Sequence, residues 1–169
     1  QACSPEIESL DEIKKFKPED KYFKADLVSL HFQIETSEIE KIDKLFSQII
    51  ASNNIPITAD GCKDGIFIGE SPYDAYDYKH KVSIEISNGK IIRIDYNEIN
   101  KDGLGKEEDK FYNEEMSPAG TTPAIAYPSY EKQLIEKQNI LNVDGISGAS
   151  YSLYRFRYAV MNALMKARI

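Results

Sequence analysis

The sequence predicts an α+β fold, a small and mainly antiparallel sheet with helices packed on it, whose C-terminal helix follows a Ser-Gly-Ala-Ser loop. Three stretches carry that prediction. In "KVSIEISNGKIIRI", Val82, Ile84 and Ile86 alternate with polar residues, Asn88-Gly89 supplies the two positive-φ positions of a tight hairpin turn, and Ile92 and Ile94 continue on the return strand. In "TSEIEKIDKLFSQIIASNN", Ser37 and Glu40 form a capping box, and Ile39, Ile42, Leu45, Phe46, Ile49 and Ile50 line one helical face. In "YSLYRFRYAVMNALMKARI", Leu153, Phe156, Val160, Ala163 and Leu164 form the face to be buried, and Lys166 and Arg168 complement the helix's carboxyl end.

Length and charge bound the rest. A chain of 169 residues with 41% hydrophobic content has room for one domain with a real core, assigned to residues 24–169 behind a lead-in over 1–23. The 21 basic residues against 28 acidic ones leave a net charge of -7, which repels a nucleic-acid backbone. No run of about 18 apolar residues is present to span a bilayer.

Taken in order, Gln1 in place of an initiator methionine fits removal of an upstream segment. "QACSPE" then sets Cys3 as a bacterial lipoprotein sets its lipid-bearing cysteine, making Cys3 a candidate lipid anchor. Pairing of Cys3 with Cys62 and an ordinary thiol are the alternatives. These cysteines and the two histidines, His31 and His80, lack the close paired spacing of a zinc motif. Residues 4–21 are charged and broken by Pro5 and Pro18, as in a tether. "KADLVSLHFQI" (24–34) partly alternates and predicts a strand, with His31 on its polar parity. The helix after it should end at Asn53-Asn54, ahead of Pro56.

"DGIFIG" (64–69) predicts a further strand of the sheet, entered and left through glycine. Tyr73, Tyr76 and Tyr78, interleaved with Asp74 and Asp77, suit a solvated edge or a binding rim. The polar, glycine-rich stretch over 103–123 predicts an irregular loop. Thr122 and Pro123 then suit a helix start, although Pro128 places the true beginning there, with Tyr130, Leu134 and Ile135 as its apolar stripe. Ile140–Val143 reads as a short strand-like run. His80 has no nucleophile or carboxylate at a motif spacing, and no catalytic set can be named.

Between that run and the last helix lies Asp144-Gly-Ile-Ser-Gly-Ala-Ser150-Tyr-Ser152. The first N–H groups of a helix lack carbonyl partners, and with the helix dipole they form an anion site. Gly148 and Ala149 add no bulk, and Ser147, Ser150 and Ser152 add hydroxyl donors, so the turn suits a phosphate monoester. A plain helix cap by Ser150 or Ser152 explains the same serines.

The D-G-x-S-G-A-S series resembles the acceptor motif of the FMN-binding domain family, found in sodium-pumping quinone reductases and related electron-transport subunits. Asp144, Gly145, Ser147, Gly148 and Ala149 match in register, and serine stands at position 150 where the family usually has threonine. "DGIFIGESPYDAYDYKHKVSIEISNGKI" resembles the family's opening strand and hairpin, and "DKFYNEEM…GTTPAIAYPSYEKQLIEKQNILNVDGISGASYS" resembles its membrane-anchored bacterial lipoproteins. The resemblance covers about residues 60–169 and does not reach 1–59. It implies FMN as the cofactor, joined as a phosphoester to Ser150 by a dedicated flavin transferase.

An isoalloxazine ring needs a flat apolar slot with a few polar contacts. Tyr112, Met116, Thr121, Thr122 and Pro123 are the candidates to wall it, and small packing clusters are the other use of such residues. The sequence thus leads to an extracytoplasmic FMN-carrying electron carrier, membrane-bound only through a possible lipid anchor. It would take electrons from a membrane-side donor and pass them to an external acceptor, with no nucleic-acid partner. A flavin-free surface lipoprotein acting as a scaffold is the alternative, and a flavin-dependent reductase with its own substrate is a third.

Overall fold

The computed structural model describes residues 48, 50–73 and 77–168. The chain divides into two units, Gln1–Ile55 and Pro56–Ile169, and the described residues fall almost wholly in the second. The lead-in over 1–23, Cys3, the expected strand over 24–34 with His31, the capping box and most of the first helix's apolar face lie outside them, as do Asp74 and Tyr76. The end of that first helix is described. Asn54 adopts φ 52°, its N–H bonds the Ala51 carbonyl, and the Ile55 N–H bonds the Ile50 carbonyl. This pair of bonds is the Schellman closure that a left-handed asparagine permits.

The second unit is built on three antiparallel strands in the order β1-β2-β3: β1 Gly65–Glu70, β2 Tyr78–Ser87 and β3 Lys90–Asn100. Asn88 and Gly89 turn the β2-β3 hairpin at φ 51° and 71°, the paired left-handed conformation of a type I′ turn. His80, Val82, Ile84 and Ile86 face the core from β2. On β3 the parity departs from the expected one. Glu85 pairs with Arg93 but Ile86 pairs with Ile91, so Ile92 is a one-residue bulge and sits 51% exposed while Ile91 is buried. Beyond the bulge, Ile94, Tyr96 and Glu98 face inward, because an inserted residue shifts every later side chain by one position.

Five helical stretches follow among the described residues. The segment expected to be irregular contains helix α1, Lys110–Met116, whose N-cap Asp109 accepts from the Tyr112 N–H, and a 3-10 turn over Ser117–Ala119. Helix α2 runs over Pro123–Lys137 and continues through Pro128, so it starts five residues earlier than that proline implied. The Ile125 and Ala126 amides both bond the Thr122 carbonyl, which secures the first turn before the proline interrupts the ladder. Ile140–Asn142 is a 3-10 turn, not a strand-like run. Helix α3, Ser150–Arg168, carries all five residues of its expected buried face below 5% exposure.

Helix α3 lies across β1 and β2, and α2 against β3. The first contact requires glycine at position 69, since a Cβ there would stand 1.8 Å from the Ala159 carbonyl oxygen. The outer edge of β3 is occupied by side chains. The Gln138 amide accepts from the Ile91 N–H and donates to the Ile91 carbonyl, and the Glu131 carboxylate accepts from the Tyr96 N–H. Such cover removes the unpaired edge that invites aggregation. No described helix is long and apolar enough to cross a membrane.

Candidate functional site

The Asp144–Ala149 loop is tied down at both ends. At its start the Gln133 side chain accepts from the Asp144 N–H and donates to the Asp144 carbonyl, and the Lys137 ammonium pairs with the Asp144 carboxylate. That pairing holds the exposed Asp144 carboxyl below its ordinary range. Arg157 on α3 donates to the Leu141 and Val143 carbonyls. At its far end the Ala149 N–H bonds the Ile146 carbonyl across a tight turn in which Gly148 takes φ 82°. A side chain at 148 would strain that left-handed conformation. The Ala149 carbonyl then accepts twice, from the Leu153 N–H as the helix begins and from the buried Tyr130 hydroxyl at 2.8 Å.

Ser150 is thus the first residue of α3, placed at the helix's N-terminal end by its backbone. Ser147 and Gly148 are exposed beside it, and Gly145 is exposed at the loop's other end. Ser152 turns the other way. Its hydroxyl donates to Glu98 Oε1 at 3.3 Å.

Glu98 heads a buried polar cluster that no motif pointed to. Its Oε1 also accepts from the Tyr127 hydroxyl at 2.8 Å and stands 3.4 Å from His80 Nε2; its Oε2 stands 2.6 Å from the Lys106 ammonium. Burial alone would raise the Glu98 carboxyl, but the Lys106 ammonium and the hydroxyl donors around it hold it below the ordinary range, so it is ionised. Burial drives His80 the opposite way, down to about 3, against the pull of Glu98, so this imidazole is neutral. Its Nδ1 is 2.6 Å from the Tyr96 hydroxyl, which is also 3.3 Å from the Ser152 carbonyl oxygen. That hydroxyl donates to Ser152 when Nδ1 carries the imidazole proton, and to Nδ1 when Nε2 does. The charge on Glu98 favours the second arrangement.

The remaining predicted residues are reached through Lys106, whose ammonium lies 4.8 Å from the Tyr112 ring centre and 4.6 Å from that of Tyr78. Tyr112 and Met116 sit half-buried on α1, and Asn113 beside them accepts from the Ala124 N–H at the start of α2. Pro123 is buried at the first position of α2, and Thr122 holds the N-cap position without a side-chain cap bond. Thr121 is 3% exposed, and its hydroxyl has no hydrogen-bond partner. A continuous set of contacts thus joins Ser152, Glu98, Lys106 and Tyr112. A separate open depression of about 870 Å³ on the sheet's outer face, lined by Lys81, Ser83, Asp95, Asn97 and Leu104 among others, includes Tyr78 of the tyrosine-rich stretch but none of the residues expected to hold the flavin. Among the described residues Cys62 has no disulfide partner, and its Sγ lies 3.7 Å from the Leu164 carbonyl oxygen.

Sequence reasoning missed His80 and Glu98, although each was in phase with core residues of its strand: His80 with Val82, Ile84 and Ile86, Glu98 with Ile94 and Tyr96. A charged or titratable residue on a core parity is the signal that finds such a cluster.

A helix N-terminus preceded by a left-handed glycine and small residues fits the phosphate end of a flavin nucleotide. The orphaned, buried Thr121 hydroxyl fits a polar contact still to be made. Comparison with known proteins agrees. The "15 kDa lipoprotein" of Treponema pallidum (strain Nichols) is 29% identical over 97 residues, 57% of this chain and 69% of that protein. The crystal structure of the CPE2226 protein from Clostridium perfringens is 41% identical, with a TM-score of 0.59 over 63% of this chain and 88% of that one. A solution structure from Clostridium thermocellum is 26% identical with a TM-score of 0.36, covering 62% of this chain and 88% of that one. The family model for the FMN-binding domain matches residues 76–165, more than half of the chain and inclusive of the whole Asp144–Ser152 loop. The chain belongs to the FMN-binding domain family, and its cofactor is FMN.

Proposed function

We propose that this protein is an extracytoplasmic electron carrier that holds FMN as a phosphoester on Ser150. The single observation that carries the reading is the position of Ser150 at the first turn of a 19-residue helix, directly after the left-handed Gly148 and within the Asp-Gly-x-Ser-Gly-Ala-Ser series. The first N–H groups of a helix lack intrahelical carbonyl partners, and with the helix dipole they favour a bound phosphate. Gly148 is exposed just before that turn and adds no side chain.

Attachment follows from ordinary phosphoryl chemistry. The Ser150 oxygen attacks the FMN phosphorus of a dinucleotide phosphoanhydride held by a flavin transferase. The new Ser–O–P bond forms as the anhydride P–O bond breaks, the mononucleotide leaves with the electron pair, and the serine proton passes to a transferase base or to solvent. Once bound, FMN supplies the electron chemistry. Residues of the chain hold and tune it: Ser147, Gly148 and Ala149 at the phosphate, and Tyr112, Met116, Thr121, Thr122 and Pro123 as candidates toward the ring. The lipoprotein relative, and a Cys3 set as a lipid-bearing cysteine, support an anchored location outside the cytoplasm, with electrons arriving from a membrane-side donor and leaving to an external acceptor.

Expression with and without a flavin transferase tests the reading. Wild-type protein should gain the mass of FMN minus water and fluoresce in a denaturing gel only with the transferase. A protein that stays colourless, gains no mass and shows no thermal shift with added FMN would be the flavin-free scaffold instead.

A further inference from the structure

The buried cluster around Glu98 is hydrogen-bonded to α3 at Ser152, and its Tyr96 ring packs edge-on against Phe156 of the same helix. The Ser152 hydroxyl donates to Glu98 Oε1, Glu98 faces His80 Nε2, His80 Nδ1 meets the Tyr96 hydroxyl, and that hydroxyl lies 3.3 Å from the Ser152 carbonyl oxygen. The Tyr96 hydroxyl has one proton, which the charge on Glu98 directs to His80 Nδ1, so the path is a chain from Ser152 through Glu98 and His80 to Tyr96, whose oxygen lies beside the Ser152 carbonyl. Independently, the Tyr130 hydroxyl holds the Ala149 carbonyl at 2.8 Å. Residues 149 and 152 are therefore fixed from the protein interior by two unconnected side chains, and Ser150 stands between them.

An ordinary helix start does not need this. The Ala149 carbonyl already has the Leu153 N–H as its helical partner, so the Tyr130 bond is a second one to the same oxygen. An ionised carboxylate, a neutral imidazole and several phenols are also costly to bury, and an apolar set of equal volume would serve packing as well or better. What the polar set adds is direction, because hydrogen bonds fix the rotation of the first turn where apolar contacts tolerate slippage. A nucleophile at that turn gains from being held, since small misplacements of reacting groups cost large factors in rate.

We infer that Tyr130 and the Ser152–Glu98–His80–Tyr96 chain are positioning residues for flavin attachment, holding the first turn of α3 so that Ser150 is presented to the transferase. The inference rests on Ser150 as the acceptor. None of these groups touches the reacting atoms in this role. Tyr130 and Ser152 act through the backbone on either side of them.

The test uses the full chain, a flavin transferase and its flavin dinucleotide, with adduct formation followed by intact mass. Tyr130→Phe and Ser152→Ala each remove one hydroxyl. Each should slow adduct formation at saturating transferase by about tenfold or more, in line with the cost of misplacing a reacting group. The transferase concentration giving half-maximal rate should change little, and the final product should still be singly modified. Ser152→Thr, which restores the hydroxyl, should recover most of the rate. Hydrogen exchange should show residues 147–152 losing protection in Tyr130→Phe and Ser152→Ala, while the β2-β3 hairpin keeps its own. Wild-type rates in both variants, or a loss that only tracks a lower folded fraction and vanishes on cooling, would overturn the inference. Complete loss in Ser152→Ala with a normal Tyr130→Phe would make Ser152 the acceptor and overturn it too. An unmodified wild type would instead remove the acceptor reading itself, a result distinct from slow variants beside a normally loaded wild type.

Discussion

Asp144, Gly145, Ser147 and Gly148 are small or polar and exposed, whereas four residues beyond Gly148 the Ser152 hydroxyl enters a cluster of buried rings and charges around Glu98. Both regions are polar, yet they meet water differently. In the loop, solvent screens every charge, and the pairing of Asp144 with Lys137 is at the surface. In the cluster, Glu98, His80, Tyr96 and Tyr127 have lost their water and must satisfy one another. The loop should therefore matter for chemistry and hardly for stability, and the cluster for stability and for the placement of the loop. The difference teaches that burial, not polarity, decides what a hydrogen-bonded group does for a fold.

The largest effect expected on the loop side is all-or-none. Ser150→Ala should abolish the flavin adduct on coexpression with a transferase while leaving the thermal unfolding midpoint where it was. A retained adduct would move the acceptor to Ser147 or Ser152. On the cluster side, Glu98→Ala should cost about 3–5 kcal/mol in denaturant unfolding, because it leaves the Lys106 ammonium and the Tyr127 hydroxyl without their buried partner. A cost below about 1 kcal/mol would mean that solvent reaches the cluster, and the contrast between the two regions would collapse.

A smaller effect comes from the rim of the cluster. The half-buried Glu131 carboxylate accepts from the Tyr96 N–H, and burial, with Asp95 and Glu107 adding to it, pushes this carboxyl up to about 7. The folded protein thus keeps a proton that the unfolded chain releases at ordinary carboxylate pH. Its contribution to stability is full below about pH 4 and is lost as pH rises toward 7. His80 has the opposite sign. Its folded value lies far below the ordinary one, so its contribution is present above about pH 6.5 and is lost as pH falls. Glu131→Gln removes one of these opposed terms and leaves the other. Relative to wild type, that variant should be more stable at pH 8 than at pH 5, by urea midpoints at the two pH values. An unchanged difference would show that Glu131 titrates as an ordinary surface carboxyl.

What the sequence disclosed about these two regions follows from the range of the signals. The loop was legible because its residues are consecutive, and a left-handed glycine before a helix is a local matter. The hairpin and α3 were legible because period-two and helical patterns repeat over many residues. The inward face of β3 was misread at Ile92, since a bulge is set by cross-strand pairing and leaves no local mark. Helix α1 escaped notice because none of its seven residues is buried and it has no apolar stripe to display. The cluster was hidden for the reason that makes it interesting. His80, Glu98, Lys106 and Ser152 lie on four separate segments, and only the sheet register and the packing of α3 bring them together.

The smallest stability effect belongs to Asp144, and it is the one that most sharpens the contrast. Asp144→Asn removes the charge that pairs with Lys137 but keeps the backbone bonds to Gln133. A surface pair of this kind is screened by salt and pays for its geometry in side-chain entropy, so the unfolding midpoint should not move measurably. If Asp144 serves the loop's chemistry, flavin loading should slow in the same variant, and added salt should not reproduce the loss. A destabilised Asp144→Asn with normal loading would reverse the assignment. The loop would then be a structural corner that happens to precede a helix, and the series from Asp144 to Ser150 would owe its form to folding rather than to the cofactor.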